Sequence, residues 1–397
     1  MKNRRLLAAL TALCVLCVSG CPNPWLNRMF KSELEAAAGL TGPVWPVLPG
    51  TGGTPPEAEP VFTTIAEVEA WLDSLVPPEG TLSDPAPLIV QLDLANTLGE
   101  GWADLLAAIG ARGKYVDLNL SLSDLNNMTG TPGEFGPGTP SAGMQYITSL
   151  TLPPDTASIK AGSFLVSTFK DFTNLKSVGG EGVGGIGSYT FYNCSKLETA
   201  YFPEAADIGT NAFQNCYTLT TAYFPEVTGI GNYAFQNCSS LTEAYFPEAA
   251  VIGMDAFQSC GNLDTTDFSK VTNIGANAFS GCTSLTGADF PKAEIIGADA
   301  FQSCTALATL NLPVAANIGN FALANTGGTP LTVTLGNTPP PALGTGMFNG
   351  VVLPKTVTVK VPYPDAPAWE GAGYDSVWAN DFTGGNPFVT VTFESSL

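Results

Sequence analysis

Residues 222–238 read AYFPEVTGIGNYAFQNC. Nearly the same run stands at 200–216 (AYFPEAADIGTNAFQNC) and again at 244–260 (AYFPEAAVIGMDAFQSC). The period is 22 residues and it is strict. Cysteine keeps it at Cys194, Cys216, Cys238, Cys260, Cys282 and Cys304. Phenylalanine keeps it from Phe191 to Phe301, leucine from Leu197 to Leu307, and an Ile-Gly pair from Ile186-Gly187 to Ile318-Gly319. Phe169, Phe172 and Leu175 begin the register in degenerate form, and Leu323 and Thr326 end it. Five residue types holding one spacing define a solenoid of stacked coils.

Each position in a copy has a physical role. Leu219, Ala222 and Phe224 share the inner side of a short strand, which Pro225 ends because it has no N–H to donate. Ile230 points inward again. Gly231 is expected to make a tight turn at positive φ. NYAFQNC (232–238) is expected to form a helical or 3₁₀ turn that buries Ala234 and Phe235 before Cys238 closes the coil. Buried apolar side chains stabilise by about 1.5–3 kcal/mol each. One coil cannot bury its own set, so the coils must stack, and a one-residue slip would break every column.

Stacking places equivalent cysteines about 4.7–4.9 Å apart, the spacing of neighbouring strands. That distance admits disulfides. Packed free thiols are the preferred reading, because unpaired cysteine behaves as a small buried hydrophobe. A metal site is disfavoured, since collinear thiols do not make a tetrahedron.

The motif IGxxAFxxCxxLxxxxFP resembles the BspA-like leucine-rich repeat proteins of host-associated bacteria, over about residues 145–326. The resemblance implies an α/β leucine-rich repeat solenoid: a parallel β ladder with short helical or 3₁₀ turns. It assigns the solenoid to residues 144–326. Phe-Pro replaces the more usual Ile-Pro at the strand end, a change of core volume only. Residues 61–143 are expected to be an α/β cap. There TIAEVEAWLDSL opens with Thr64 and Glu67 at capping-box spacing, and Ile65, Val68, Leu72 and Leu75 share one helical face. Strands are expected at 87–95 and 114–124 and a second helix at 101–111, with a loop at 129–143. Residues 327–397 resemble the closing segment of such proteins, a β-rich cap followed by an aromatic-rich helix.

The amino terminus is set apart. MKNRR is basic and LLAALTALCVLCV too short to span a membrane, so residues 1–20 read as a signal peptide. VSGC ending at Cys21 resembles a bacterial lipobox, which implies lipidation of Cys21. A plain secretory peptide is the alternative. Residues 21–60, rich in Pro and Gly in their later part, form a tether.

Composition excludes several classes. Only 13% of residues are charged, yet the net charge is −20, which argues against nucleic acid. Histidine is absent, which removes Ser–His–Asp and Cys–His nucleophilic sites and the commonest zinc sites. No cofactor is expected. The outward strand positions carry the candidate binding face: Tyr201, Tyr223, Tyr245, Asp267, Asp289 and Asn311. After the proline position come Glu204, Glu226 and Glu248, then Lys270 and Lys292. The sequence therefore points to a lipid-anchored protein of the bacterial cell envelope that binds a protein partner, with adhesion to host matrix or other cells suggested by the resemblance. A polysaccharide-acting β-helix-like enzyme and a structural surface-layer protein are the alternatives.

Overall fold

The computed structural model describes residues 60–395 except 78, 93–100, 124–133, 136–142, 154–155, 157, 160–168, 265–267, 328–329, 337–340, 352–354, 362–382, 384–385 and 387–388. Cys21, the signal peptide, the tether and the expected aromatic-rich helix near the carboxyl end lie outside the described residues.

Eight parallel strands form the first sheet. Their order follows the chain: Val61–Phe62, Ala86–Val90, Val116–Asn119, Ile147–Thr151, Ser177–Gly179, Thr199–Tyr201, Thr221–Tyr223 and Glu243–Tyr245. The amino-terminal segment therefore continues the repeat ladder. Helix Ile65–Ser74 begins at Thr64, whose hydroxyl accepts from the Glu67 amide at 3.2 Å while the Thr64 amide donates to the Glu67 carboxylate at 3.1 Å. Ile65, Val68 and Leu72 are buried, and Leu75 packs against the same core. Helix Trp102–Arg112 is tied to the first through Arg112, which pairs with Glu69 at 3.1 Å and Asp73 at 3.0 Å. Both expected strands of this segment are shorter than the sequence suggests, because pairing with their neighbours stops at Val90 and Asn119.

The core of the solenoid consists of columns. Phe169, Phe191, Phe213, Phe235, Phe257, Phe279 and Phe301 stack face to face, with ring centroids 5.2 Å apart and planes 2° apart for Phe213 and Phe235. Phe235 and Phe257 repeat this at 5.3 Å and 3°. A second column, Phe202, Phe224, Phe246, Phe268 and Phe290, stands beside it. Rings from the two columns meet tilted or edge-on, the arrangement that aligns the positive ring edge with a negative face.

Each coil carries a second, two-residue strand at the Ile-Gly position, which the sequence did not announce. Asp207–Ile208, Gly229–Ile230, Val251–Ile252, Asn273–Ile274, Ile295–Ile296, Asn317–Ile318 and Ala342–Leu343 make a seven-stranded parallel sheet. Its glycines do not turn at positive φ. A Cβ on Gly231 would lie 2.6 Å from the carbonyl carbon of Gly209 and 2.7 Å from the Ile208 oxygen. Glycine is required there because the backbones of successive coils touch, and the same collision recurs at Gly209, Gly253, Gly275, Gly297 and Gly319.

Left-handed backbone falls elsewhere, on two residues of each coil: Tyr233 (φ 59°) and Asn237 (φ 63°) in the central copy, with equivalents from Tyr189 to Asn325. These residues keep 232–238 from becoming a continuous helix. It is a run of turns instead, closed by bonds from Ala234 N–H to the Gly231 carbonyl, Gln236 N–H to Tyr233 and Cys238 N–H to Phe235. Between them, Tyr233, Phe235 and Asn237 donate to Met254, Ala256 and Gln258 of the next coil, so this side is also a ladder.

The last sheet has five parallel strands: Gly287–Asp289, Thr309–Leu312, Leu331–Leu335, Lys355–Val361 and Val389–Ser395. The carboxyl segment is thus β-rich and continues the ladder beyond the final repeat.

Candidate binding face and the thiol column

The outward side chains of the first sheet follow from strand alternation. In Thr221–Tyr223 the pattern buries Ala222 and leaves Thr221 and Tyr223 half-exposed. Parallel pairing holds Tyr201, Tyr223 and Tyr245 in register. Their rings stack, with centroids 5.0 Å apart at 8° between Tyr201 and Tyr223, and 5.3 Å at 12° between Tyr223 and Tyr245. Burial raises the Tyr201 phenol above its ordinary pKa, and the nearby Glu181 charge raises it further.

Beside the tyrosines stands a column of half-exposed prolines, Pro203, Pro225 and Pro247. The glutamate column follows. Glu204 and Glu226 are exposed, whereas Glu248 pairs with Lys270 across one repeat. On the opposite flank Glu198 and Glu243 are exposed, and the Thr221 hydroxyl donates to Glu243 at 3.2 Å.

The other predicted face residues divide in two. Asp289 and Asn311 lie in register on the five-stranded sheet, and the Asn311 amide donates to Asp289 at 2.6 Å. Asp267 lies outside the described residues. The structure therefore brings the three tyrosines together as one stack and the Asp289–Asn311 pair as another.

Cys194, Cys216, Cys238, Cys260, Cys282 and Cys304 are free thiols, all buried. Each donates from Sγ to the carbonyl of the phenylalanine in the preceding coil. The distance is 3.3 Å from Cys238 to Phe213 and 3.2 Å from Cys260 to Phe235. The Phe235 carbonyl also receives the Cys238 N–H at 3.1 Å. A cysteine at this position therefore gives a buried acceptor a second donor from the neighbouring coil, where a plain hydrophobe would not. Burial raises all six thiol pKa values, that of Cys304 to about 12. Such thiols are poor nucleophiles.

Sequence reasoning missed a second aromatic group on the turn side. Tyr189 and Tyr192 lie 5.9 Å apart, Lys170 Nζ sits 5.5 Å from the Tyr192 ring, and Tyr217 one coil on is 45% exposed. Nothing in the period marks these residues, because their columns vary in residue type and hold mostly polar or small side chains. Nearby, glutamine side chains form a ladder: Gln214 donates to Gln236, and Gln236 to Gln258.

The parallel coils, the phenylalanine columns and the repeated strand define an α/β leucine-rich repeat solenoid. Residues 142–264 and 206–329 match the BspA type leucine rich repeat region, in six copies. Among solved structures, the chain resembles a leucine rich repeat protein of T. pallidum at 25% identity, covering 49% of this chain and 82% of that one, with a TM-score of 0.35. A leucine rich cell surface protein of Faecalibacterium prausnitzii matches at 18% identity over 61% of this chain and 88% of its own, with a TM-score of 0.34. A leucine-rich repeat protein of Bacteroides ovatus matches at 16% identity over 84% and 92%, with a TM-score of 0.37. No curated protein matches the chain.

Proposed function

We propose that this is a bacterial cell-surface protein, anchored by a lipid on Cys21, that binds other proteins through the outward face of its first sheet. The single observation that carries the reading is the in-register stack of Tyr201, Tyr223 and Tyr245 on that face. Tyrosine is enriched where proteins meet, because a rigid amphipathic ring adds contact area at little entropic cost. The ladder fixes all three rings before any partner arrives, which lowers the ordering cost of association. Adhesion to host matrix or to neighbouring cells is the role this face suits. Surface location is supported by the signal-like amino terminus and by the BspA type family.

Binding is preferred to catalysis on the same grounds. An active site departs locally from a repeat, and the Phe, Leu, Ile and Cys columns here keep the period through the core repeats. The test is capture of purified matrix and bacterial surface proteins by the immobilised chain, compared with Tyr201→Ser/Tyr223→Ser/Tyr245→Ser. The triple variant should lose capture while its circular dichroism stays native. Undiminished capture would place the binding face elsewhere.

A further inference from the structure

The chemistry of the partner follows from how the tyrosines are packed, and the inference rests on the binding reading above. A face that takes sugars or bases by stacking presents the flat side of its rings. Here the planes are 8° and 12° from parallel with centroids 5.0 and 5.3 Å apart, so both faces of Tyr223 and one face each of Tyr201 and Tyr245 are covered by a neighbouring ring. What reaches solvent is a row of ring edges and phenol oxygens, bordered by Pro203, Pro225 and Pro247. That surface is narrow and apolar. It suits aliphatic stems, and its only polar atoms donate and accept hydrogen bonds.

The border supplies the sign of charge. Glu204 and Glu226 stand exposed beyond the prolines, and Glu198 and Glu243 stand exposed on the other flank. Glu181 reaches the amino-terminal end of the stack closely enough to raise the Tyr201 phenol. On the flank of Glu198 and Glu243, Lys176 stands one coil before Glu198, whose N–H donates to the Lys176 carbonyl. At the carboxyl end of the stack Lys270 is engaged by Glu248. Beyond it the column becomes Lys270 and Lys292 and the strand position becomes Asp289, so the charge pattern changes where the tyrosines stop. A net charge of −20 adds long-range attraction of the same sign.

We infer that the tyrosine–proline strip receives a lysine- or arginine-bearing polypeptide segment of the partner. Its aliphatic stems lie on the ring edges and prolines, its cationic heads pair with Glu204 and Glu226 on one rail and Glu198 and Glu243 on the other, and the phenol oxygens accept further N–H bonds. Long cationic side chains divide in this way between apolar stem and charged head. Complementary charge then sets orientation and on-rate more than affinity.

The test uses the full chain and a fluorescein-labelled dodecapeptide of alternating lysine and proline, with the glutamate–proline peptide and a neutral glucose hexasaccharide as comparison probes. Anisotropy at low salt should show binding of the lysine peptide alone, weakening steeply as salt rises. Glu204→Gln/Glu226→Gln should weaken it about five- to tenfold, as expected for two exposed pairs. Asp207→Asn/Glu294→Gln removes the same charge from the second sheet and should change it by less than about twofold. Equal weakening by both pairs, or equal binding of the glutamate peptide, would overturn the inference. Tyrosine-dependent binding of the hexasaccharide would make the strip a glycan site instead. Protein capture that depends on the tyrosines but ignores Glu204 and Glu226 would sink this inference and leave the binding face standing. Capture that ignores the tyrosines would remove both.

Discussion

Gly231→Ala isolates the contact on which coil stacking depends. The added Cβ would sit 2.6 Å from the Gly209 carbonyl carbon and 2.7 Å from both the Ile208 oxygen and the Thr210 nitrogen. All three are backbone atoms, so no side chain can swing aside. Restoring ordinary contact requires the two coils to part locally by about 0.8 Å, and a gap of about 0.5–1 Å forfeits a quarter to a half of each dispersion well along the seam. The bond from Gly231 N–H to the Ile208 carbonyl, 2.8 Å long, lengthens with it. Overpacking of this kind costs about 1–3 kcal/mol, and the stretched ladder bond puts the variant at the upper end, about 3 kcal/mol. Ser259→Gly is the matched control: φ is 62° there, the side chain is exposed, and glycine takes that conformation without strain. Guanidinium unfolding followed by far-ultraviolet circular dichroism measures both. The result that refutes the reasoning is a Gly231→Asn variant as stable as the wild type. Asparagine tolerates left-handed backbone but brings the same Cβ, so its acceptance would mean the glycine serves a turn after all.

Three further outcomes are expected. Stability should fall from about pH 9 upward: the unfolded thiol ionises near 9.0, whereas burial keeps the folded one protonated, until about 12 for Cys304. A raised folded pKa gives stability that is complete below the unfolded value and is lost as pH climbs toward the folded one. Each thiol contributes a slope of about 1.4 kcal/mol per pH unit in that window, and six together about 8, so alkaline unfolding should be steep and should flatten in a variant lacking the central cysteines. Cys238→Ala should destabilise by about 1–3 kcal/mol, since the Phe213 carbonyl loses its sulfur donor and a small void opens; an unchanged midpoint in denaturant would show the thiol bond to be idle. Cys21→Ala should release the protein from the membrane fraction and abolish labelling by a palmitate analogue; persistent labelling would defeat the anchor.

What the sequence revealed, and what it concealed, divides along physical lines. Columns were legible because burial constrains residue type at every turn of the solenoid: Phe213, Phe235 and Phe257 recur because each ring is the floor of the next. The asparagines at 193, 215 and 237 do signal left-handed backbone, since their residue type tolerates it. At the companion positions Asn211, Asp255, Asn277 and Asp299 carry the same signal, whereas Tyr189, Tyr233 and Phe321 take the same left-handed backbone without it. Gly231 was expected to make a turn, and the structure makes it a close approach instead, which only the position of the preceding coil reveals. The second sheet escaped notice because its strands are two residues long, shorter than any alternation can reveal. At the candidate face, the tyrosine and glutamate columns could be counted in advance. That the rings stack nearly parallel and cover their inner faces depends on ring planes that no sequence states.

The claim beneath all of this is a fixed rise per repeat. Spin labels at Glu198→Cys and Ala308→Cys occupy equivalent exposed positions five repeats apart, while the native repeat thiols are buried beyond the reagent. In-register stacking at about 4.8 Å per coil predicts a single narrow distance centred near about 24 Å, broadened only by the label arms. A broad distribution, or one centred beyond about 35 Å, would mean that the coils do not lie on one another at the strand spacing.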